Sequence, residues 1–158
     1  SNLPNNYVYS ISIDNDNSKW IGTGGGGIGV FNDVFWIVFN TSNSGISDDN
    51  IRPIHNSPTG HQWVGTYMGG LNVFDGEKWK SYDYRNSNIP DDEITYLTRD
   101  DNDKVYIGTE RTGIVTYNDS IRIEAVGITD EITSVKATSI MFGSTAVANP
   151  VKQTTEPP

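Results

Sequence analysis

The chain of 158 residues has no cysteine, only two histidines and no long apolar run. The absence of cysteine excludes disulfides, thiolate metal ligands and a cysteine nucleophile. The longest apolar run, Val34 to Phe39, is far too short to span a bilayer. Basic residues are also scarce, with 11 against 20 acidic residues and a net charge of −9. Because the chain also has no Lys/Arg cluster, this charge balance argues against nucleic-acid binding and against insertion into a membrane.

A segment that repeats three times is the most informative feature of the sequence. The chain contains 16 glycines, four tryptophans, eight tyrosines and five phenylalanines, and many of them recur at a fixed spacing. Trp20-Ile21-Gly22-Thr23 returns as Trp63-Val64-Gly65-Thr66 and as Tyr106-Ile107-Gly108-Thr109, each time 43 residues further on. Turn residues and apolar pairs follow the same step without an insertion. The chain is therefore a repeat protein.

Each repeat has the pattern of four short strands. In the first copy we predict them at about Val8–Ile13, Lys19–Thr23, Ile28–Asn32 and Val34–Phe39, because apolar and β-branched residues are bounded there by turn formers. Asn32-Asp33 indicates a two-residue hairpin, and no window has sustained helical periodicity. The sequence predicts an all-β fold, a β-propeller with blades of four antiparallel strands in a 43-residue repeat.

The aromatic residue and the glycine of the repeated motif are predicted to be structural. A blade is covered on both faces, so it needs large side chains to fill the space between blades and small residues where strands approach closely. The positions concerned are Trp20, Gly22, Trp63, Gly65, Tyr106 and Gly108.

Three copies are clear and a fourth is degenerate. We predict blades at about 3–45, 46–88 and 89–127, a partial blade at 128–145, and a linker or disordered tail at 146–158. Propellers generally use about 4–8 blades. The chain could therefore form a minimal four-bladed ring, share a ring with a second chain, or belong to a longer protein.

One edge strand departs from the repeat. Phe35 and Ile37 stand where the second copy has Lys78 and Lys80. If those lysines face water, Phe35, Ile37 and Phe39 form an exposed apolar stripe, which predicts an interface with a partner. A local change of strand phase is the alternative.

The motif resembles the two-component regulator propeller repeat, in which a turn is followed by Trp-Ile-Gly-Thr, a short gap and Gly-Leu. Here the pattern runs from Asp14 to Ile28, from Ser57 to Leu71 and from Asp100 to Ile114. The resemblance covers residues 3 to about 125. It implies relatives that are periplasmic sensor propellers of hybrid two-component systems, mostly from gut Bacteroidetes and associated with glycan sensing. Similar repeats occur in secreted proteins without a kinase, and the streptogramin lyases are similar propellers that are enzymes.

The residues give little sign of catalysis or of a metal. His55 and His61 are the only histidines, and no third ligand stands at metal spacing. Asp14-x-Asp16-x-Ser18 has the oxygen spacing of a calcium loop but lacks the glycine and the distant glutamate of such loops. We therefore predict no catalytic residues, no metal and no cofactor.

The loops that differ between copies are the candidates for ligand binding. By resemblance, the loops between the second and third strands and the turns between blades lie on one rim. Aromatic rings with Asp, Asn and Arg suit the rings and hydroxyls of a sugar, although ordinary solvated loops are an equal alternative. The candidate residues are Tyr67, Met68, Glu110, Arg111, Tyr7, Asp49, Asn50, Asp92 and Glu93.

These observations favour a non-catalytic binding or sensing propeller, with an oligosaccharide or a protein as its partner. The resemblance implies export to the periplasm or the cell exterior, and Ala148 to Lys152 resembles the start of a Bacteroidetes secretion-sorting tail. One alternative is a structural propeller completed by other copies, as a homo-oligomer, or by the rest of a longer chain. The other is a streptogramin-lyase-like enzyme.

Overall fold

The computed structural model describes residues 2–102, 104–118 and 122–125, with backbone only for 118 and 122–125. The predicted partial blade at 128–145 and the tail at 146–158 lie outside the described residues. Within them, twelve strands form three antiparallel four-stranded sheets, and each sheet follows the chain order of its strands. Blade 1 contains β1 (Val8–Ile13), β2 (Lys19–Thr23), β3 (Ile28–Phe31) and β4 (Trp36–Phe39); blade 2 contains β5 (Ile51–Asn56), β6 (Gln62–Thr66), β7 (Leu71–Phe74) and β8 (Trp79–Tyr82); blade 3 contains β9 (Ile94–Arg99), β10 (Val105–Thr109), β11 (Gly113–Asn118) and β12 (Arg122–Ala125).

Each of the three clear copies therefore folds as one propeller blade, as the sequence predicts. The first strands β1, β5 and β9 pack against one another in succession, which makes them the inner strands of the array. The last strand of each blade lies at the opposite edge of its sheet. The precise boundaries of the blades stay predictions.

The third and fourth strands of blade 1 are shorter than predicted. The prediction of a two-residue hairpin at Asn32-Asp33 is wrong. Four residues separate β3 from β4. The Asn32 side chain accepts hydrogen bonds from the amides of Val34 (3.1 Å) and Phe35 (3.0 Å), so these amides are used inside the turn. Asp75 does the same in blade 2, where its Oδ1 accepts from the amides of Glu77 and Lys78.

Apolar clusters fill the two junctions between blades. The cluster between blades 1 and 2 places Trp20 within an aromatic group with Phe39, Phe74 and Trp79. The cluster between blades 2 and 3 places Trp63 edge-on against Tyr117, with 4.6 Å between ring centroids. Burial of these clusters is the main source of cohesion between blades that could not cover their own faces.

The repeated glycines lie where consecutive blades approach most closely. A Cβ on Gly22 would stand 2.6 Å from Cγ2 of Ile51, and a Cβ on Gly65 would stand 2.5 Å from Cγ2 of Ile94. Both isoleucines come from the first strand of the next blade and are fully buried. Each glycine therefore forms a depression that receives a β-branched side chain. Gly108 has only atoms of its own blade among its nearest neighbours.

In blades 1 and 3, an aspartate in the turn after the first strand stabilises the local structure. Asp14 Oδ1 accepts from the amides of Asp16 and Ser18, and its Oδ2 accepts from Trp20 Nε1 at 2.8 Å. Asp100 repeats this arrangement and accepts from the Tyr106 hydroxyl at 3.2 Å. The carboxylate thus fixes both its turn and the aromatic residue of the motif.

Candidate functional site: a cavity in the rim between blades 2 and 3

The loops predicted to share a rim are joined there by backbone hydrogen bonds. The Gly25 amide donates to the Asp49 carbonyl at 3.1 Å, and the Tyr67 amide donates to the Asn50 carbonyl at 3.0 Å. In blade 3 the Glu110 amide donates to the Glu93 carbonyl, also at 3.0 Å. Each loop between second and third strands is therefore tied to a turn between blades.

In blades 2 and 3, an aspartate of the turn between blades fixes the position of the rim loop. Asp48 Oδ2 accepts from the Met68 amide at 2.9 Å, and Asp91 Oδ2 accepts from the Arg111 amide at the same distance. The other oxygen of each carboxylate accepts from a backbone amide within its own turn, that of Asn50 for Asp48 and that of Glu93 for Asp91. This anchor recurs at the 43-residue step, so it belongs to the repeat.

Between the anchored loops of blades 2 and 3 lies an open cavity of about 280 Å³. Two tyrosines, three acidic residues and one arginine contribute to its wall. The residues that line it are Tyr67, Met68, Tyr84, Pro90, Asp91, Asp92, Glu93, Arg111 and Thr112.

Arg111 and Asp91 form the ion pair of this cavity. Arg111 Nη2 lies 2.8 Å from Asp91 Oδ1; the arginine side chain is largely exposed and the aspartate is buried. Burial alone would raise the pKa of the Asp91 carboxyl, but hydrogen bonds from the Arg111 guanidinium and from the amides of Glu93 and Arg111 outweigh it and lower the pKa. Asp91 is therefore a carboxylate at neutral pH.

The pH dependence of stability should reveal this carboxylate. The folded-state pKa lies below the unfolded value of about 3.9, so the contribution of Asp91 is complete above that value and is lost as the pH falls through the folded-state pKa. We expect the difference in urea midpoint between the native chain and Asp91→Asn to be large at pH 6 and to shrink below about pH 4. A difference that stays constant down to pH 3 would contradict this assignment.

The structure brings five of the nine predicted rim residues together in the cavity wall. These are Tyr67, Met68, Asp92, Glu93 and Arg111.

The other four predicted residues do not line the cavity. Tyr7 is exposed, and Asp49 uses its carboxylate to accept from the Thr41 amide (2.7 Å) and hydroxyl (3.1 Å). Asn50 and Glu110 contribute backbone groups to the rim hydrogen bonds. Asp92 has a structural contact as well, since its Oδ1 accepts from the Tyr84 amide at 2.9 Å.

Sequence reasoning missed the remaining wall residues, of which Tyr84 and Asp91 matter most. Tyr84 stands where the first copy has Thr41, so a departure from the repeat was the available signal. Asp91 stands one residue before the predicted pair Asp92 and Glu93, and its burial and ion pair are visible only in the fold.

Arg52 is a further residue that the sequence did not reveal, and it contacts Tyr67. Its guanidinium carbon lies 4.8 Å from the ring centroid of Tyr67 and 4.9 Å from that of Tyr9. An arginine between two aromatic faces is attracted to both by cation–π interaction. This contact restrains the ring of Tyr67 at the cavity wall.

The predicted apolar stripe is partly present. Phe35 and Ile37 are exposed, as are Lys78 and Lys80 at the equivalent positions of blade 2. Phe39 does not belong to the stripe, because its ring is half-buried and stacks on Trp20 with 5.9 Å between centroids. Contact of Phe35 and Ile37 with a partner stays a prediction.

Comparison with known proteins identifies a matching family and similar solved structures. Residues 2–25 match the family described as two component regulator propeller. Over 78% of its length, the chain is 30% identical to the extracellular domain assigned to the hybrid two component system BT3049 from B. thetaiotaomicron, with a TM-score of 0.68. Residues 2–25 carry the two-component regulator propeller repeat. The recognised repeat, the β fold and the blade architecture predicted from the sequence are thereby confirmed.

A second solved structure supports the propeller fold of this chain. It is the extracellular domain assigned to the one component system BT4673 from B. thetaiotaomicron, which is 20% identical over 82% of this chain with a TM-score of 0.64. The chain spans 17% of the first solved domain and 19% of the second, under a fifth of either. None of the curated proteins matches it.

The described part of this chain offers no grouping of side chains for metal binding. No three His, Cys, Asp or Glu side chains within it stand close enough to hold an ion. His61 lies in the turn before β6, at the opposite end of that strand from the cavity, and its Nδ1 lies 3.0 Å from the Thr59 hydroxyl. No helix of sufficient length and hydropathy to cross a membrane occurs in the described residues.

Proposed function

We propose that this chain is a non-catalytic ligand-binding part of an exported sensor propeller, in the periplasm or outside the cell, and that its rim cavity binds an oligosaccharide. The observation that carries the proposal is the cavity itself, which combines two tyrosine rings with carboxylates and an exposed arginine. The similarity to an extracellular sensor domain supports the location and the sensing role.

The chemistry of the wall suits a sugar. Tyr67 and Tyr84 supply flat apolar surfaces and hydroxyl groups, while the Glu93 carboxylate can accept hydrogen bonds from ligand hydroxyls. Arg111 has five N–H donors, and the bond to Asp91 occupies one of its terminal nitrogens. At about 280 Å³, the cavity is slightly smaller than the usual ligand pocket of roughly 300–1,000 Å³. It therefore fits one ring of a longer oligosaccharide.

Two of the three carboxylates of the cavity, those of Asp91 and Asp92, have structural partners that suit them poorly for acid–base catalysis. A general acid or base works best with a pKa near the operating pH. Asp91 has a lowered pKa and pairs with Arg111, and Asp92 accepts from the backbone of Tyr84. These two groups hold the loops and carry fixed roles, which favours a binding module over a lyase.

Binding to an oligosaccharide panel by isothermal titration tests the proposal. We expect at least one glycan to bind the native chain, and Tyr67→Ala to weaken it about tenfold, equivalent to 1.4 kcal/mol. The matched control is Tyr96→Ala, which removes an exposed tyrosine of blade 3 outside the cavity and should leave binding unchanged. Absence of binding across the panel, or equal losses in both variants, would refute a sugar site at the cavity.

A further inference from the structure

Arg52 carries a positive charge that no carboxylate among the described residues pairs with. Its Nε makes no hydrogen bond there, whereas Lys19, Arg85 and Arg111 each form an ion pair with an aspartate. The chain has 20 acidic and 11 basic residues, so a shortage of carboxylates does not explain the difference. The guanidinium of Arg52 is therefore available to an anionic group from a ligand.

The acidic residues closest to Arg52 in the sequence already have other partners. Both carboxylate oxygens of Asp48 accept hydrogen bonds from backbone amides. Asp49 accepts from the amide and the hydroxyl of Thr41. These carboxylates hold the rim loops in place and do not pair with the arginine.

Two tyrosine rings position the Arg52 side chain at the rim. Its guanidinium carbon lies 4.9 Å from the ring centroid of Tyr9 and 4.8 Å from that of Tyr67. Cation–π attraction engages the positive charge without using an N–H donor, so the donors remain for a ligand. Tyr9 is 53% exposed and Tyr67 is 36% exposed, which places this arrangement at the surface.

The residues that build this arrangement differ between the blades. Tyr9, Arg52 and Thr95 are equivalent residues of β1, β5 and β9, and each lies at a register shift of its strand. Gly24 stands where blade 2 has Tyr67, and a Cβ on Gly24 would lie 2.8 Å from Tyr9 Cε2. The glycine of blade 1 thus leaves space for the Tyr9 ring, which contacts Arg52 from the opposite blade.

Arg52 adjoins the rim cavity through Tyr67, whose ring contacts the arginine and also lines the cavity. The cavity wall contains three acidic residues, and the charge of Arg111 is matched there by Asp91. An anionic ligand group is therefore repelled within the cavity and attracted at Arg52.

On the basis of the proposed sugar site, we infer that the oligosaccharide is acidic and that Arg52 binds its carboxylate or sulfate group, while a neutral ring occupies the cavity. A guanidinium presents paired N–H donors in one plane, which match two oxygens of such a group. The net charge of the chain is −9, so its overall field repels an anionic glycan and the attraction has to be local.

Isothermal titration with matched acidic and neutral glycans tests this inference. One set compares oligogalacturonides with their methyl esters, and the other compares sulfated chondroitin oligosaccharides with the unsulfated chain. We expect the native chain to bind the more acidic member of at least one set about tenfold more tightly, as charge-assisted hydrogen bonds allow. The set that shows the preference identifies the group as a carboxylate or a sulfate, and added salt should reduce the preference.

Three variants assign the preference to Arg52. Arg52→Gln should remove it, and Arg52→Lys, which keeps the charge without the paired donors, should retain part of it. Lys78→Gln removes one positive charge from an exposed position of blade 2 outside the cavity and should keep it. The readout is the ratio of the two affinities, because a general weakening through Tyr67 affects both glycans alike. The urea midpoint of each variant confirms that it is folded.

The outcomes separate this inference from the sugar site on which it rests. Neutral glycans that bind as tightly as their acidic counterparts would overturn the role of Arg52 and leave the sugar site in place. A preference that survives in Arg52→Gln would assign the anionic group to another residue. Absence of binding by every glycan of both sets and of the wider panel would remove the sugar site and the role of Arg52 together.

Discussion

Replacing Trp63 by alanine is expected to lower the free energy of unfolding by about 3–5 kcal/mol, the usual cost of truncating a large buried aromatic residue. Trp63 is 5% exposed and packs in the junction of blades 2 and 3 against Tyr117. Its loss removes apolar burial and leaves a cavity that neighbouring strands can close only in part. Small domains have about 5–15 kcal/mol of stability in total, so urea unfolding should show a large shift of the midpoint.

The matched control for this prediction is Tyr106→Ala, at the same position of blade 3. Tyr106 is half-buried and faces away from the other described blades, so its truncation should cost much less than that of Trp63. Equal losses at the two positions would mean that burial between blades is not what Trp63 contributes.

The inner strands could be predicted from the sequence because the same pattern of apolar and turn residues occurs three times. Strands β1 and β2 have the predicted bounds, since alternating apolar residues end at turn formers on both sides. The outer strands were predicted too long. Val34 and Phe35 have the apolar character of a strand, but Asn32 takes their amides into a turn, and side-chain hydrogen bonding of this kind leaves no trace in hydropathy.

The candidate site could be predicted only in part, for two physical reasons. Topology places loops on a rim, so Tyr67 and Arg111 were found from the loops that vary between copies. Which side chain then faces the cavity depends on anchors such as Asp91, whose burial comes from contacts between two blades. Phe39 illustrates the same limit: its strand alternation matches Ile37, but Trp20 and Trp79 cover it.

The second large effect is expected at Gly65. Gly65→Val should lower the free energy of unfolding by about 3 kcal/mol or more, at the upper end of the range for overpacked cores. The first added atom would lie 2.5 Å from Ile94 Cγ2, 2.7 Å from Ile94 Cβ and 2.8 Å from Pro53 Cγ. These neighbours belong to two strands of different blades, so relief requires the blades to separate. Urea unfolding measures the loss.

Gly108→Val is the control that isolates the blade junction, because it makes the same chemical change at the same position of the repeat. Its nearest neighbour, Tyr96 Cβ at 3.2 Å, belongs to an exposed residue of the same blade that can shift by a few tenths of an ångström. The valine should therefore cost much less in stability at Gly108 than at Gly65. If Gly108→Val destabilised the monomer as much as Gly65→Val, the glycines would be required within each blade and not for contact between blades. If Gly65→Val were harmless, Ile94 would not be fixed in the depression at Gly65.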